Sequence, residues 1–291
     1  MFHSALICTD FSDGLHRLVN FVPSLVAGGL NKLVFVSTVP ITRDVMPRAS
    51  SERLEHVRDR FSAAMKNVPE GAEVHIEVDW GKPEDHILAM VKRHKADVVI
   101  LGTPSRSLLN EKVFGSTTVG LCQRVSVPVL IVRPQLVSAY TVEELSLRCR
   151  HLFRYLLVPF DGSDTARYIV DRIKQQVGNS PDSSLKQCLL CWVVEVARRN
   201  ASLQESEMKT AQQALAKVVP ELEALGLEAE GKVLTGNAIN EILDVAVDYD
   251  ISAIALSSRS MGKLIELSVP SFTGEVLRRS WHPVVFFPPQ R

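Results

Sequence analysis

The residues best placed to do chemistry lie between Leu101 and Thr117, where an apolar run ends in Gly102, a polar loop follows, and Gly115 opens a helix start rich in hydroxyls at Ser116 and Thr117. The first N–H groups of a helix have no partner within it, and together with Ser/Thr hydroxyls they hold an anion, phosphate above all. Arg106, next to Ser105, either adds a charge-assisted contact to that phosphate or is a solvated loop arginine. Asp10 and Thr38 also fall just after or at the end of predicted strands, so Asp10, Thr38, Gly102 and Gly115 could converge on one crevice. Read singly, Asp10 with Ser12 is an ordinary loop and helix cap, and glycines commonly terminate strands.

Other chemistries find little in the chain. None of the eight histidines has metal-ligand spacing, and there is no Gly-x-Ser-x-Gly elbow or P-loop ending in Gly-Lys-Ser/Thr. His86 and His94 share one predicted helix but stand eight residues apart, as surface residues do. The five cysteines, Cys8, Cys122, Cys149, Cys188 and Cys191, are an odd number lying mostly in apolar runs, which suits buried thiols rather than a disulfide framework. Cys188 and Cys191 have redox or zinc-like spacing, but they sit in a predicted strand, where residues three apart face opposite ways. The chain therefore reads as a binding protein rather than an enzyme.

Lys plus Arg equals Asp plus Glu at 33 each, so no global field recruits nucleic acid or an anionic membrane. Apolar stretches are strand-sized, and the N-terminus enters a predicted strand at once, without the pattern of a secretory leader; the expectation is a cytoplasmic protein.

The elements that must position the loop alternate. Apolar runs at 4–9, 33–39, 73–78, 97–101 and 128–132 are strands of the kind buried on both faces, separated by amphipathic helices. One helix carries Leu54, Val57, Phe61 and Met65 on one face, and another runs from Pro83 with Ile87, Leu88 and Val91 inward. The second half repeats the pattern with strands near 155–160, 187–194, 228–234, 252–257 and 283–287, and a long helix at 202–225 punctuated by Pro220 and ended by Gly226. Asp10 and Ser12 match Asp161 and Ser163, and Gly81 with Gly236, Ser116 with Ser271 and Pro128 with Pro283 continue in register, so one unit is present twice. The expected fold is α/β: two tandem doubly wound domains, each a five-stranded mostly parallel sheet with helices on both faces, at 1–134 and 152–291, joined by a linker at 135–151.

The loop Gly102 … Gly115-Ser116 and the openings Ala5–Ser12 and Tyr155–Asp164 resemble the universal stress protein family, whose nucleotide loop is Gly, two residues, Gly, nine residues, Gly, Ser or Thr. Ser105 replaces the middle glycine. The resemblance implies a tandem, stress-associated regulatory module that binds ATP or AMP, with or without magnesium, and shows at most a weak ATP hydrolysis. It puts Asp10 by the nucleoside, Thr38 by the base, and Leu101, Gly102, Ser105, Gly115, Ser116 and Thr117 around ribose and phosphates. In the second half the aligned loop runs from Ser257-Ser258-Arg259-Ser260 to Pro270-Ser271-Phe272-Thr273 and has lost every glycine of the pattern, so no nucleotide is expected there. The resemblance also implies an intramolecular pseudo-dimer, paired through the last strands of the two halves, and a homodimer as a further arrangement; bare apolar edge strands need such cover. The alternative is a structural or protein-interaction stress protein that binds no nucleotide. An adenylyl- or phosphoryl-transferring enzyme has only fold analogy behind it.

Overall fold

The computed structural model describes residues 1–41, 47–103, 116–180, 183–195, 201–258 and 271–289. Its chain divides into two units, Phe2–Arg150 and His151–Arg291, the latter joined by Met1.

In the first unit the strands are β1 (Ser4–Cys8), β2 (Lys32–Val39), β3 (Glu73–Trp80), β4 (Val98–Gly102) and β5 (Val129–Val132). They pair in the order β3-β2-β1-β4-β5, every pair parallel. Parallel neighbours cannot be joined by a hairpin, so helices cross between them, Val22–Ala27, Pro47–Asp59, Pro83–His94 and Ser116–Arg124 in turn. The order reverses between β1 and β4, which sends the crossovers to opposite faces and opens a crevice above the carboxyl ends of these strands. The Val/Ile/Leu runs of β1, β4 and β5 are buried almost throughout, while β3 alternates Glu73, His75, Glu77 and Asp79 with Val74, Ile76 and Val78. Charges of that kind keep an edge strand from recruiting another chain.

The second unit repeats this plan. Its strands β6 (Tyr155–Pro159), β7 (Gln187–Val194), β8 (Glu228–Thr235), β9 (Ala253–Ser257) and β10 (Val284–Phe287) lie in the order β8-β7-β6-β9-β10, again with parallel pairs. Backbone detail follows the repeat as well: Gly81 and Gly236 take φ of +129° and +156° and donate to Val39 O and Val194 O, each at 3.1 Å. Phe11 and Gly162 share a left-handed φ, +68° and +72°, at matching loop positions.

One expectation needs correction. The helix from Pro47 ends at Asp59, and the chain continues through a tighter turn of four residues, Ser62–Met65. The change of pitch from 3.6 to 3.0 residues per turn keeps Phe61 inside at 0% exposure but swings Met65 out to 53%. The stretch between the two repeats, expected as a linker with a short helix, carries two short helices, Pro134–Val137 and Val142–Arg150, that pack within the first unit; Arg17 donates to Val137 O, and the Ser24 and Ser146 hydroxyls meet at 2.8 Å.

In the second unit the helix Ala201–Glu223 runs through Pro220 and is tied to the helix Asp164–Gly178 by Glu221, whose carboxylate accepts from Arg167 at 2.5 and 2.7 Å and from Lys174 at 2.5 Å. These partners hold the Glu221 carboxyl down at about 2. Because the folded value is depressed, the pair's contribution is complete above the ordinary carboxylate range and is lost as pH falls through it towards about 2. Glu221→Gln is expected to remove about 1 kcal/mol at neutral pH and low salt, allowing for solvent screening, and nothing near pH 2, as read by urea unfolding at both pH values.

Candidate functional site

The loop between β1 and the first helix is shaped by short polar side chains. The Asp10 carboxylate accepts from the backbone N–H of Ser12 at 2.8 Å and from its hydroxyl at 2.6 Å, so Asp10 and Ser12 do form the ordinary local turn. The Thr9 hydroxyl accepts from Phe11 N at 2.9 Å and donates to Asp13 at 2.6 Å, and Leu15 N donates to the same Asp13 oxygen at 2.9 Å. Asp13 is 6% exposed, and a Cβ added at Gly102 would stand 2.5 Å from the Asp13 Cβ. Glycine at the end of β4 is therefore needed for a close approach, quite apart from any ligand.

Above these strand ends lies a cavity of about 130 Å³ lined by Asp10, Asp13, Thr38, Leu101, Gly102 and Thr118, among others. Four residues singled out from the sequence, Asp10, Thr38, Leu101 and Gly102, thus meet in one crevice. Ser116 and Thr117 open the helix Ser116–Arg124, whose buried Thr118 reaches the same cavity. Ser105, Arg106 and Gly115 lie outside the described residues. Sequence reasoning missed Asp13, Ser37 and Thr118. Asp13 had a signal, a second carboxylate three residues after Asp10, but only the tertiary approach of Gly102 shows that it turns inward.

Burial, above all, pushes the Asp13 carboxyl above its ordinary value of 3.8, against the opposing hydrogen bonds from Thr9 and Leu15. A raised folded value means that the native state holds the proton more tightly, so stability falls as pH rises from about 3.8 through the folded value and stays lower above it. Asp13→Asn keeps the acceptor for Thr9 and Leu15 without the charge. It is expected to abolish that loss, giving a flatter stability profile above pH 4 in thermal unfolding than the parent shows.

The corresponding cleft of the second unit is larger, about 500 Å³. Asp161 accepts from Ser163 N at 3.0 Å, repeating the Asp10 turn, and Ser271 caps the helix Phe272–Arg279 by accepting from Gly274 N at 3.1 Å. Arg259, Ser260 and Pro270 lie outside the described residues, and the described helix begins at Phe272. All five cysteines are buried; burial pushes the thiols of Cys122, Cys149, Cys188 and Cys191 up to about 12, which leaves them without thiolate at neutral pH.

The two units, each a parallel sheet with its crevice at the reversal of strand order, define a tandem α/β protein of the doubly wound class. The model of the universal stress protein family matches residues 1–133 and again 153–288, and the chain belongs to that family. Among solved structures, a universal stress protein from Archaeoglobus fulgidus aligns over 98% of both chains at 20% identity with a TM-score of 0.67. A putative universal stress protein from Pseudomonas aeruginosa aligns over 98% of this chain and 93% of its own at 15% identity with a TM-score of 0.58. These likenesses establish the tandem fold. No curated protein matches the sequence. Among the described residues, no helix is long and apolar enough to cross a membrane.

Proposed function

We propose that the first unit binds an adenine nucleotide, ATP or AMP, and that the protein is a stress-associated regulatory module rather than an enzyme. The observation that carries this reading is the convergence of Asp10, Thr38, Leu101 and Gly102 on one crevice at the carboxyl ends of β1, β2 and β4, with Thr118 from the adjoining helix start beside them. In this reading Asp10 accepts from a ribose hydroxyl, Thr38 takes the base, and the free N–H groups of the helix start at Ser116 take phosphate. The enclosed space, about 130 Å³, is below the ~300 Å³ of ordinary ligand pockets, so in this reading part of the nucleotide lies outside it.

Calorimetric titration of nucleotide-stripped protein with ATP, beside mass measurement of whatever acid releases from protein as purified, tests the reading. One equivalent of ATP per chain is expected. The second unit lacks the glycines of the loop, and two unmade charge-assisted hydrogen bonds, at about 1.5–3 kcal/mol each, weaken binding there a hundredfold or more. Two equal sites would contradict the asymmetry. The absence of both released nucleotide and heat would favour the second reading, an interaction protein without nucleotide, which the small cavity and the Asp13 carboxyl packed against Gly102 already support.

A further inference from the structure

Asp13 puts an ionisable group inside the first crevice. Its side chain is buried and lines the cavity of about 130 Å³ together with Thr118, a residue of the first turn of the helix Ser116–Arg124. Oδ1 accepts from the Thr9 hydroxyl and from Leu15 N, which fixes the carboxyl in place. Among the described residues, Oδ2 accepts from no other residue and no cation pairs with the group. Buried polar groups are normally satisfied, so an open carboxylate oxygen in a small cavity bears directly on what enters it. The titratable groups that line the cavity with Asp13 are Asp10, which raises the Asp13 value further, and Cys8, whose thiol burial pushes up; β2, β4 and the helices at Pro83 and Ser116 contribute no titratable residue to the lining. The second unit shows that the closure belongs to Asp13 and Gly102 rather than to the fold. At the matching positions Asp164 is the exposed first residue of the helix Asp164–Gly178, and Ser257 has a side chain that donates to Phe287 O at 2.8 Å; the cleft there measures about 500 Å³.

We propose that Asp13 is an inhibitory charge built into the crevice of the first unit: ionised, it opposes an anionic ligand, and neutralised by a proton or by substitution, it admits one. The inference rests on the nucleotide reading, in which phosphate lies at the helix start beside Thr118. A full negative charge facing phosphate across so small a cavity weakens binding at least about tenfold, even at an effective dielectric constant of about 20. Because the folded value of Asp13 is raised, the group takes up its proton as pH falls through that value, and ATP affinity rises with it.

Calorimetric titration of the nucleotide-stripped full chain and of its Asp13→Asn variant, with ATP and with adenosine, at about pH 7.5 and about pH 5, tests this. Asn keeps the acceptor for Thr9 and Leu15 N and changes only the open oxygen. At the higher pH the variant is expected to bind ATP at least about tenfold more tightly than the parent, while adenosine, which has no phosphate, changes by less than about threefold. At the lower pH the advantage for ATP should shrink to less than about half, because Asp13 of the parent then takes up its own proton. Comparing variant with parent at each pH cancels the titration of ATP itself and of Asp10. ATP bound by the variant alone would support the inference as well. It is overturned if the variant binds ATP no more tightly than the parent, if adenosine gains as much as ATP, the mark of added space rather than lost charge, or if the advantage is the same at both pH values. Equal binding of ATP by both chains would leave the nucleotide reading standing without the inhibitory charge. If neither chain binds ATP at either pH, the nucleotide reading fails and the inference falls with it.

Discussion

Phe61→Ala is expected to destabilise the first unit by about 3–5 kcal/mol, the range for emptying a fully buried aromatic site. Phe61 has no solvent exposure and stands between two rings, with Phe35 of β2 at 5.8 Å between centroids and Phe11 of the β1 loop at 5.0 Å. The Arg60 guanidinium lies 3.5 Å from the centroid of the Phe11 ring and closes the column at its outer end. Phe11 holds a left-handed φ of +68°, which non-glycine residues adopt only when their surroundings hold them there. Removing Phe61 takes away the ring that holds Phe11, so the turn of Asp10 and Ser12 loosens together with the core beneath it. Hydrogen exchange should therefore show faster opening of β1 and β2 with β6 to β10 unaffected, and ATP affinity should fall with it. Phe61→Leu, which restores most of the volume, should recover the greater part of the stability but less of the affinity, because it does not restore the ring contact with Phe11.

The fold was legible because it is written in contiguous apolar runs. Leu6-Ile7-Cys8 and Val98-Val99-Ile100-Leu101 could only be strands covered on both faces, and the recurrence of Asp10 and Ser12 at Asp161 and Ser163 announced the second copy. Periodicity served less well where pitch changes: nothing in the spacing of Leu54, Val57, Phe61 and Met65 marks the tighter turn after Asp59 that turns Met65 outward. At the candidate site, Asp10, Thr38 and Gly102 were legible because a parallel sheet delivers the ends of neighbouring strands to one crevice, and Leu101 through the resemblance of its loop to the family's. Asp13 was not. Whether a loop carboxylate turns inward depends on a strand end some ninety residues away having no side chain, and that is a tertiary fact. The lining of the second cleft was likewise hidden, since Glu195, just after β7, and Asp161, just after β6, come to one cleft only once the sheet is assembled.

Gly102→Val is expected to abolish ATP binding and to cost the first unit at least about 1–3 kcal/mol, the usual penalty for forcing extra atoms into a packed site. Even a bare Cβ at this position would lie 2.5 Å from the Asp13 Cβ and 2.7 Å from its carboxyl carbon. Asp13 cannot simply swing aside, because one of its oxygens accepts from both Thr9 and Leu15 N, and displacing it would leave those donors unpaired in a buried loop. The strain therefore spreads to the loop that carries Asp10, the residue proposed to meet the ribose. A double-mutant cycle separates this contact from a general intolerance of side chains at the end of β4. In an Asp13→Gly background the Cβ that the new residue strikes is gone, so Gly102→Ala should cost clearly less there than in the parent, with a coupling of about 1 kcal/mol or more. Simple additivity of the two changes, measured by urea unfolding, would show that Gly102 is required for some reason other than the approach of Asp13. If Gly102→Val folds and still binds ATP as tightly as the parent, the nucleotide does not sit over β4 and the assignment of this crevice fails.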